Sequence, residues 1–315
     1  MTATTMRAIQ QEVLGGPEVL RVTEVERPTP RANQVLIRVR AAGVNPIDLK
    51  HRAAGMLLGA PPFVLGWDVS GTVEETGFGV SALVPGDEVF GMLPFPYGNG
   101  GYAEYAVAPA RLLVPKPAGL SHTEAAALPM VSLTTWQALL ETAGLRAGQR
   151  ALIHAAAGGV GHVAVQIAKA HGAQVIGTAS AGKHAFLRGL GADEVIDYRK
   201  TDFTEAVKDV DVVLDTIGGD CTARSLRVLR PGGTVVSILP IESPEVYAEA
   251  DRLGVRVTWI LVDADRAVLR AVAGLVEAGT LRPTIAGTFP LAEAAEAHRL
   301  GETGRTTGKL VLLTD

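Results

Sequence analysis

The sequence predicts an α/β protein: a doubly wound parallel-sheet domain accompanied by a smaller β-rich one. Three observations carry this. Residues 151–180 read as strand, glycine-rich turn, helix and second strand, the length and order of a βαβ crossover. From Arg150 to Ile260, short apolar runs alternate with helical patterns, which argues a parallel sheet with helices on both faces. Residues 6–114 instead hold strand-like runs punctuated by proline and glycine.

Taken in order, Met6 to Glu12 and Val19 to Glu26 are short β-like runs, followed by the proline-rich link Arg27 to Arg31. Gln34 to Val44 alternates, with Val35, Ile37 and Val39 on one face and Arg38 and Arg40 on the other. Asn45-Pro46 breaks that strand and starts a short helix through Asp48 and Lys50, because proline suits a first helical position. Val69 to Glu75, Asp87 to Gly91, Tyr102 to Ala108 and Arg111 to Val114 complete the module, and Leu93 to Gly101 reads as a surface loop. After Pro117, Ser121 and Glu124 form a capping box, and helices follow at Thr123 to Leu128 and Ser132 to Ala143. The alternating strands are Arg150 to His154, Gln174 to Thr178, Glu194 to Ile196, Asp211 to Asp215, Thr234 to Leu239 and Val255 to Ile260. An amphipathic helix, Ala264 to Ala278, then precedes a strand, a helix and a final strand, Lys309 to Leu313, which return to the first module. The expected domains are 1–120 with 263–315, and 121–262.

The turn at Gly158, Gly159 and Gly161 carries the chemistry. Glycine lets the backbone approach a ligand, and the unpaired N–H groups that open the next helix favour an anion, above all a pyrophosphate. Against the fingerprint G-x-G-x-x-G, Ala156 takes the first place and Gly158 and Gly161 the others. Ala164 and Ala168 let the helix lie close to the sheet. A tight turn that binds nothing is the alternative. An acidic residue at the end of the second strand would hold a ribose 2′-hydroxyl, but Ser180, Ala181, Gly182 and Lys183 stand there. A hydroxyl and an ammonium suit a 2′-phosphate, so NADPH is the expected cofactor; an ordinary solvated Lys183 is the other reading.

Composition excludes several classes. The chain has 315 residues, 47% hydrophobic and 20% charged, with a formal net charge of −4. Mild acidity gives no reason to expect nucleic acid or an anionic membrane as partner. The N-terminal residues lack the apolar core of a secretory signal, and Ala151 to Ala168, the most apolar window, fits strand-turn-helix better than a membrane span. A single cysteine, Cys221, leaves no intrachain disulfide and points to a reducing, cytoplasmic location.

Several stretches together resemble the medium-chain dehydrogenase/reductase superfamily, in its zinc-independent quinone oxidoreductase (zeta-crystallin-like) branch. The carriers are VNPIDLKHRAAG (Val44 to Gly55), PFVLGWDVSGTVEETG (Pro62 to Gly77), GGYAEY, LTTWQAL, HAAAGGVG, LGADEVIDY, DVVLDTIGG and the closing TGKLVLL. The resemblance implies a GroES-like catalytic domain completed by the C-terminal tail, an inserted Rossmann domain, an active site in the cleft between them, and a homodimer paired through Val255 to Val262. Zinc-dependent relatives place a cysteine, a Gly-His-Glu and a four-cysteine lobe where this chain has Asn45, Gly66-Trp67-Asp68 and a cysteine-free loop, so no metal is expected. An acceptor must then take hydride without Lewis-acid help, which selects quinones, or alkenes conjugated to a carbonyl.

The resemblance also allots roles. Asn45, Ile47, Asp48 and Lys50 match the segment beside the nicotinamide and its ribose, with Asn45, Asp48 and Lys50 as catalytic candidates. Many relatives carry tyrosine at the Lys50 place; an ammonium there can hold the cofactor or a developing enolate, or be an exposed helix lysine. Thr134 and Trp136 match positions near the cofactor, a core tryptophan being the alternative. Gly158, Gly159 and Val160 match the pyrophosphate turn, and Ser180, Lys183 and Tyr198 the adenosine-phosphate pocket. Thr216, Leu239, Pro240, Ile260, Leu261 and Lys309 match further cofactor contacts, the last on phosphate. An NADPH-binding structural protein without turnover is the reading from another class.

Overall fold

The structure, a computed structural model, describes residues 4–97 and 100–314. In chain order it begins with β1 (Thr5–Gln11), β2 (Arg21–Glu26), β3 (Gln34–Val44), α1 (Pro46–Ala54), β4 (Phe63–Val64) and β5 (Asp68–Thr76). Next come β6 (Glu88–Met92), β7 (Tyr105–Pro109), β8 (Leu113–Pro115), α2 (His122–Ala126) and α3 (Pro129–Trp136). The alternating segment is β9 (Arg150–Ile153), α4 (Gly159–Ala170), β10 (Gln174–Ala179), α5 (His184–Gly189), β11 (Glu194–Asp197), α6 (Phe203–Ala206), β12 (Val210–Asp215) and α7 (Asp220–Ser225). The chain closes with β13 (Leu229–Ser237), α8 (Pro244–Leu253), β14 (Arg256–Trp259), α9 (Arg266–Glu277), β15 (Ile285–Pro290), α10 (Ala294–Glu302) and β16 (Lys309–Leu313). Among the described residues no helix is long and apolar enough to cross a membrane.

The chain forms two compact units: Met1–Met130 with Ala264–Ala278 and Arg282–Asp315, and Val131–Asp263 with Gly279–Leu281. The first is GroES-like and β-rich. Its larger sheet runs β15-β16-β3-β5-β6-β8, with β7 also on β3, while β1 pairs with β2 and β4. The tail enters through β16, antiparallel to β3 with Leu310 opposite Val44. Residues after 120 belong here because Ala126 and Ala127 pack on Ala41 and Val311, which moves the boundary from the expected 120 to 130. The alternation expected of β3 is only partial: Leu36 is buried alongside Val35 and Ile37, while Arg38 stays exposed. In the expected surface loop, Leu93 and Phe95 are buried and Tyr97 exposed; Gly98 and Asn99 lie outside the described residues.

The second unit is a parallel six-stranded sheet in the order β11-β10-β9-β12-β13-β14, a Rossmann-like arrangement. The chain leaves β9 towards β10 and β11, then returns to build β12, β13 and β14 on the other side. That reversal puts a topological switch beside β9, where open α/β sheets hold their ligands. The core under α4 is made of small and branched side chains, Ala151, Ile153, Ala164, Val165, Ala168 and Val175. The single helix expected over 132–143 is two: α3, then a π-helical segment from Gln137 to Thr142.

Two buried histidines fasten elements within their own units. Arg52 of α1 is a donor only, so His298 Nδ1, 3.4 Å from its NH1, accepts. Nε2 therefore carries the hydrogen and donates to the Tyr102 hydroxyl at 3.2 Å, which in turn hydrogen-bonds Asp48. In the other unit Ser225 donates to the Cys221 carbonyl, so its oxygen accepts from His154 Nε2 at 3.0 Å. Burial, aided by the Arg52 charge, lowers His298 to about 3; burial lowers His154 to about 4. Both folded values lie below the ordinary 6.5, so each histidine contributes stability above that pH and loses it as the pH falls. Thermal unfolding between pH 7 and 4 should steepen by up to ~1.4 kcal/mol per pH unit for each. His298→Gln, able to accept from Arg52 and donate to Tyr102, should flatten that slope; an unchanged slope would contradict a neutral His298.

Candidate functional site

The dinucleotide unit offers a backbone cradle. After β9, the His154 N–H donates to the Leu214 carbonyl at 3.0 Å and the Ala156 N–H to the Thr178 carbonyl at 3.0 Å, so both neighbouring strands hold the turn. Thr216 adds a third tie, its hydroxyl donating to the His154 carbonyl at 2.9 Å. Ala155 takes a left-handed φ of 45°, and Gly158 starts α4 with no side chain capping it. The first N–H groups of α4, at Gly159, Val160 and Gly161, therefore open towards an incoming anion. A β-carbon on Gly161 would sit 2.5 Å from the Ala155 carbonyl oxygen and 2.6 Å from the Ala156 Cα, so only glycine lets helix and turn approach this closely.

Because the sheet is parallel, the segments after its strands share one edge: His154, Ser180, Tyr198, Thr216, Leu239 and Ile260. A pocket of about 520 Å³ opens there, lined among others by His154, Ala155, Thr178, Tyr198, Ile217 and Gly218. Beyond Ser180, the Lys183 ammonium is held below the usual lysine range by burial, an effect opposed by Tyr198 and reinforced by the cation of Arg199. Arg199 reaches over the 56%-exposed Tyr198 ring, 5.7 Å from its centroid. The sequence reading missed Arg199, although the run Tyr198-Arg199-Lys200 carried the signal. These residues fit a phosphorylated dinucleotide: amides for the pyrophosphate and two cations for a further phosphate.

Other expected contacts fall differently. Leu239 packs over Gly218, whereas Pro240 and Leu261 are exposed. The Trp136 ring packs edge-on against His171, 5.3 Å between centroids, at the C-terminal end of α4. Twelve helical residues, ~18 Å, separate that end from the glycine turn. Thr134 is buried in α3, two residues before Trp136.

In the β-rich unit Asn45 caps α1 and sits inside a buried charged cluster. The Asp48 carboxylate accepts the Asn45 N–H at 2.7 Å and the Gly66 N–H at 3.2 Å. Asp48 is thus a capping residue turned inward and fully buried, which fits a structural role for this carboxylate. Burial pushes its carboxyl up to about 7, against the pull of the Asn45 N–H and the Lys309 ammonium. Asp68, also fully buried, accepts from the Asn45 side-chain amide at 2.9 Å and from the Met130 N–H at 2.8 Å. Lys309 donates to the Val44 carbonyl at 2.7 Å and to Asn45 Oδ1, with its Nζ 3.8 Å from Asp68. Its ammonium is therefore committed inside the unit, which corrects the expected phosphate contact. Ile47 is half-buried and Lys50 exposed on the same helix.

The cluster does not fit zinc. Trp67 packs between His51 and Phe95, at 5.0 and 5.3 Å between ring centroids. His51 spends both nitrogens locally, Nδ1 on the Ile47 carbonyl and Nε2 on the Leu57 N–H. Among the described residues no group of three or more His, Cys, Asp or Glu is placed to hold a metal ion. Tetrahedral zinc prefers nitrogen and sulfur donors, and here there is no thiolate and the one imidazole is already engaged.

Comparison with known proteins agrees with both halves of this geometry. Residues 31–118 match the family model described as alcohol dehydrogenase GroES-like domain, and residues 190–312 that described as zinc-binding dehydrogenase. Mouse quinone oxidoreductase is 36% identical over 329 residues, covering 98% of each chain. Among solved structures, the quinone oxidoreductase of Coxiella burnetii is similar with a TM-score of 0.93 and 41% identity, covering 99% of this chain and 100% of that one. That of Escherichia coli, complexed with NADPH, follows at 0.90 and 30%, covering 98% and 100%. A chain with this two-part fold, a dinucleotide turn and such relatives along its whole length belongs to the medium-chain dehydrogenase/reductase superfamily, in its quinone oxidoreductase branch, and is an oxidoreductase.

Proposed function

We propose that the protein is a zinc-independent, NADPH-dependent reductase whose hydride acceptor is a quinone. The observation that carries the coenzyme is the end of β10, where residues 180–183 hold Ser180 and Lys183 in place of an acidic residue and Arg199 adds its charge beside Lys183. The NADPH complex of the Escherichia coli relative supports the same choice. The donor chemistry around Asn45 supports a reaction without Lewis-acid help, since its oxygens and nitrogens are spent on one another and on Lys309.

When bound, NADPH supplies a hydride, two electrons and one proton; a second proton from water completes the hydroquinone. The chain's own residues do the rest. The amides at Gly159, Val160 and Gly161 hold the pyrophosphate, and Thr216 braces the turn that presents them. Asn45, fixed at both ends of its carboxamide, provides a rigid polar group to the nicotinamide side. Lys50, the exposed cation of α1, steadies the oxygen that gains charge as hydride arrives. An enone or enoyl acceptor would use the same parts, taking its proton on carbon. β14 is the outer strand of its sheet, and its exposed Trp259 with Leu261 just beyond make it the proposed pairing edge of a homodimer.

Steady-state oxidation of NADPH and NADH against benzoquinone, naphthoquinone, an enone and an alkenal tests this reading. NADPH should be favoured, Lys183→Met with Arg199→Met should raise its KM about tenfold or more and leave that of NADH unchanged, and Lys50→Met should lower kcat about tenfold. Equal use of both coenzymes would remove the phosphate assignment. NADPH fluorescence that shifts on mixing, with no oxidation by any acceptor, would instead establish a binding protein without turnover. Light scattering should return twice the 32.8 kDa chain mass, and a monomer would contradict the β14 pairing.

A further inference from the structure

A lysine buried to 3% exposure in the wall of a catalytic unit needs a reason, because an ammonium removed from water is costly unless its hydrogens are all engaged. Lys309 comes close to that condition, with two of its three hydrogens bonded and a carboxylate facing the charge, and its partners are informative. One hydrogen goes to the Val44 carbonyl at 2.7 Å, a second to Asn45 Oδ1, and the charge faces the buried Asp68 carboxylate at 3.8 Å. Asp68 in turn takes the Asn45 side-chain N–H at 2.9 Å. The oxygen end of the Asn45 carboxamide is therefore held by a cation and its nitrogen end by an anion. A flipped amide would set its NH₂ against the ammonium and its oxygen against the carboxylate, so a single orientation survives.

We infer that Lys309 is a positioning residue: its buried ammonium, with Asp68, locks the Asn45 carboxamide in one orientation and through it governs turnover without touching the reactants. The inference rests on the proposed function in one respect, that turnover uses Asn45. It also accounts for the disagreement between this chain and the zinc-binding name of the family model that covers residues 190–312. The positive charge that Asn45 and Asp68 face is supplied from within, by a side chain 264 residues away from Asn45 in sequence. Lys50 cannot serve instead, since it is exposed.

The test has an arm that needs no activity. The chain holds three asparagines, Asn33, Asn45 and Asn99, so asparagine-selective ¹⁵N labelling gives three side-chain amide pairs, and Asn45→Ala identifies the one in question. In the wild-type protein the Asn45 pair should show two well-separated hydrogens that exchange slowly with water. In Lys309→Met, which keeps the bulk and removes the charge, they should converge and exchange at least tenfold faster. Unchanged Asn45 signals would overturn the inference whatever the enzyme reduces. The second arm is kinetic: Lys309→Met should lower kcat ten- to hundredfold with little change in KM for the quinone, and Asn45→Ala/Lys309→Met should be no slower than Asn45→Ala alone. An unaltered kcat, or losses that multiply, would also overturn it. Should Lys309→Met fail to fold, Lys309→Gln keeps a donor, removes the charge and carries both readouts. A wild-type protein that reduces no acceptor sinks the proposed function and leaves the spectroscopic arm to decide the role of Lys309.

Discussion

The Ala155 carbonyl lies where no side chain can intrude from Gly161, and the dinucleotide unit is built on that close approach. With any larger residue at 161 the first turn of α4 would move off β9, and the amides at its start would no longer converge on one point. The surrounding choices serve the same end. Thr178 and Thr216 brace the turn from the neighbouring strands, and Ala164 and Ala168 let the helix lie flat on the sheet. A phosphate placed there meets fixed dipoles that need no rearrangement.

The other unit solves a different problem, that of keeping charge inside protein. Asp48, Asp68 and Lys309 are all buried, and they are tolerated together because four backbone groups and the Asn45 side chain complete their hydrogen bonds. The chain Arg52–His298–Tyr102–Asp48 extends the network to α10 and fixes the histidine as a neutral donor. Removing a single member would strand a charge. The cost of that is the reason such a cluster holds its geometry, and Asn45 inherits the precision.

Local signals were legible in the sequence wherever a short period or a special backbone residue fixes structure. The break at Asn45-Pro46, the Ser121 capping box, the glycine turn and the alternation of strands with helices all follow from neighbouring residues, and the structure realises each. What escaped depends on topology. Lys309 meets Asn45 only because β16 returns to lie on β3, and no periodicity reports a pairing across so much chain. Asp48 is sealed off by Gly66 and Tyr102, which arrive from other segments, whereas its cap partner Asn45 is local. Trp136 was placed by likeness to other chains, and its position is set by where α3 passes the far end of α4. Arg199 escaped because an arginine in a charged run is ordinarily a solvated surface residue.

The account stands or falls on the glycine turn. Calorimetric titration of NADPH into the wild-type protein and into Gly161→Ala measures it directly. The account predicts one site per chain in the wild type and an affinity at least tenfold weaker in the folded variant; equal affinities, or no heat in the wild type, would contradict it.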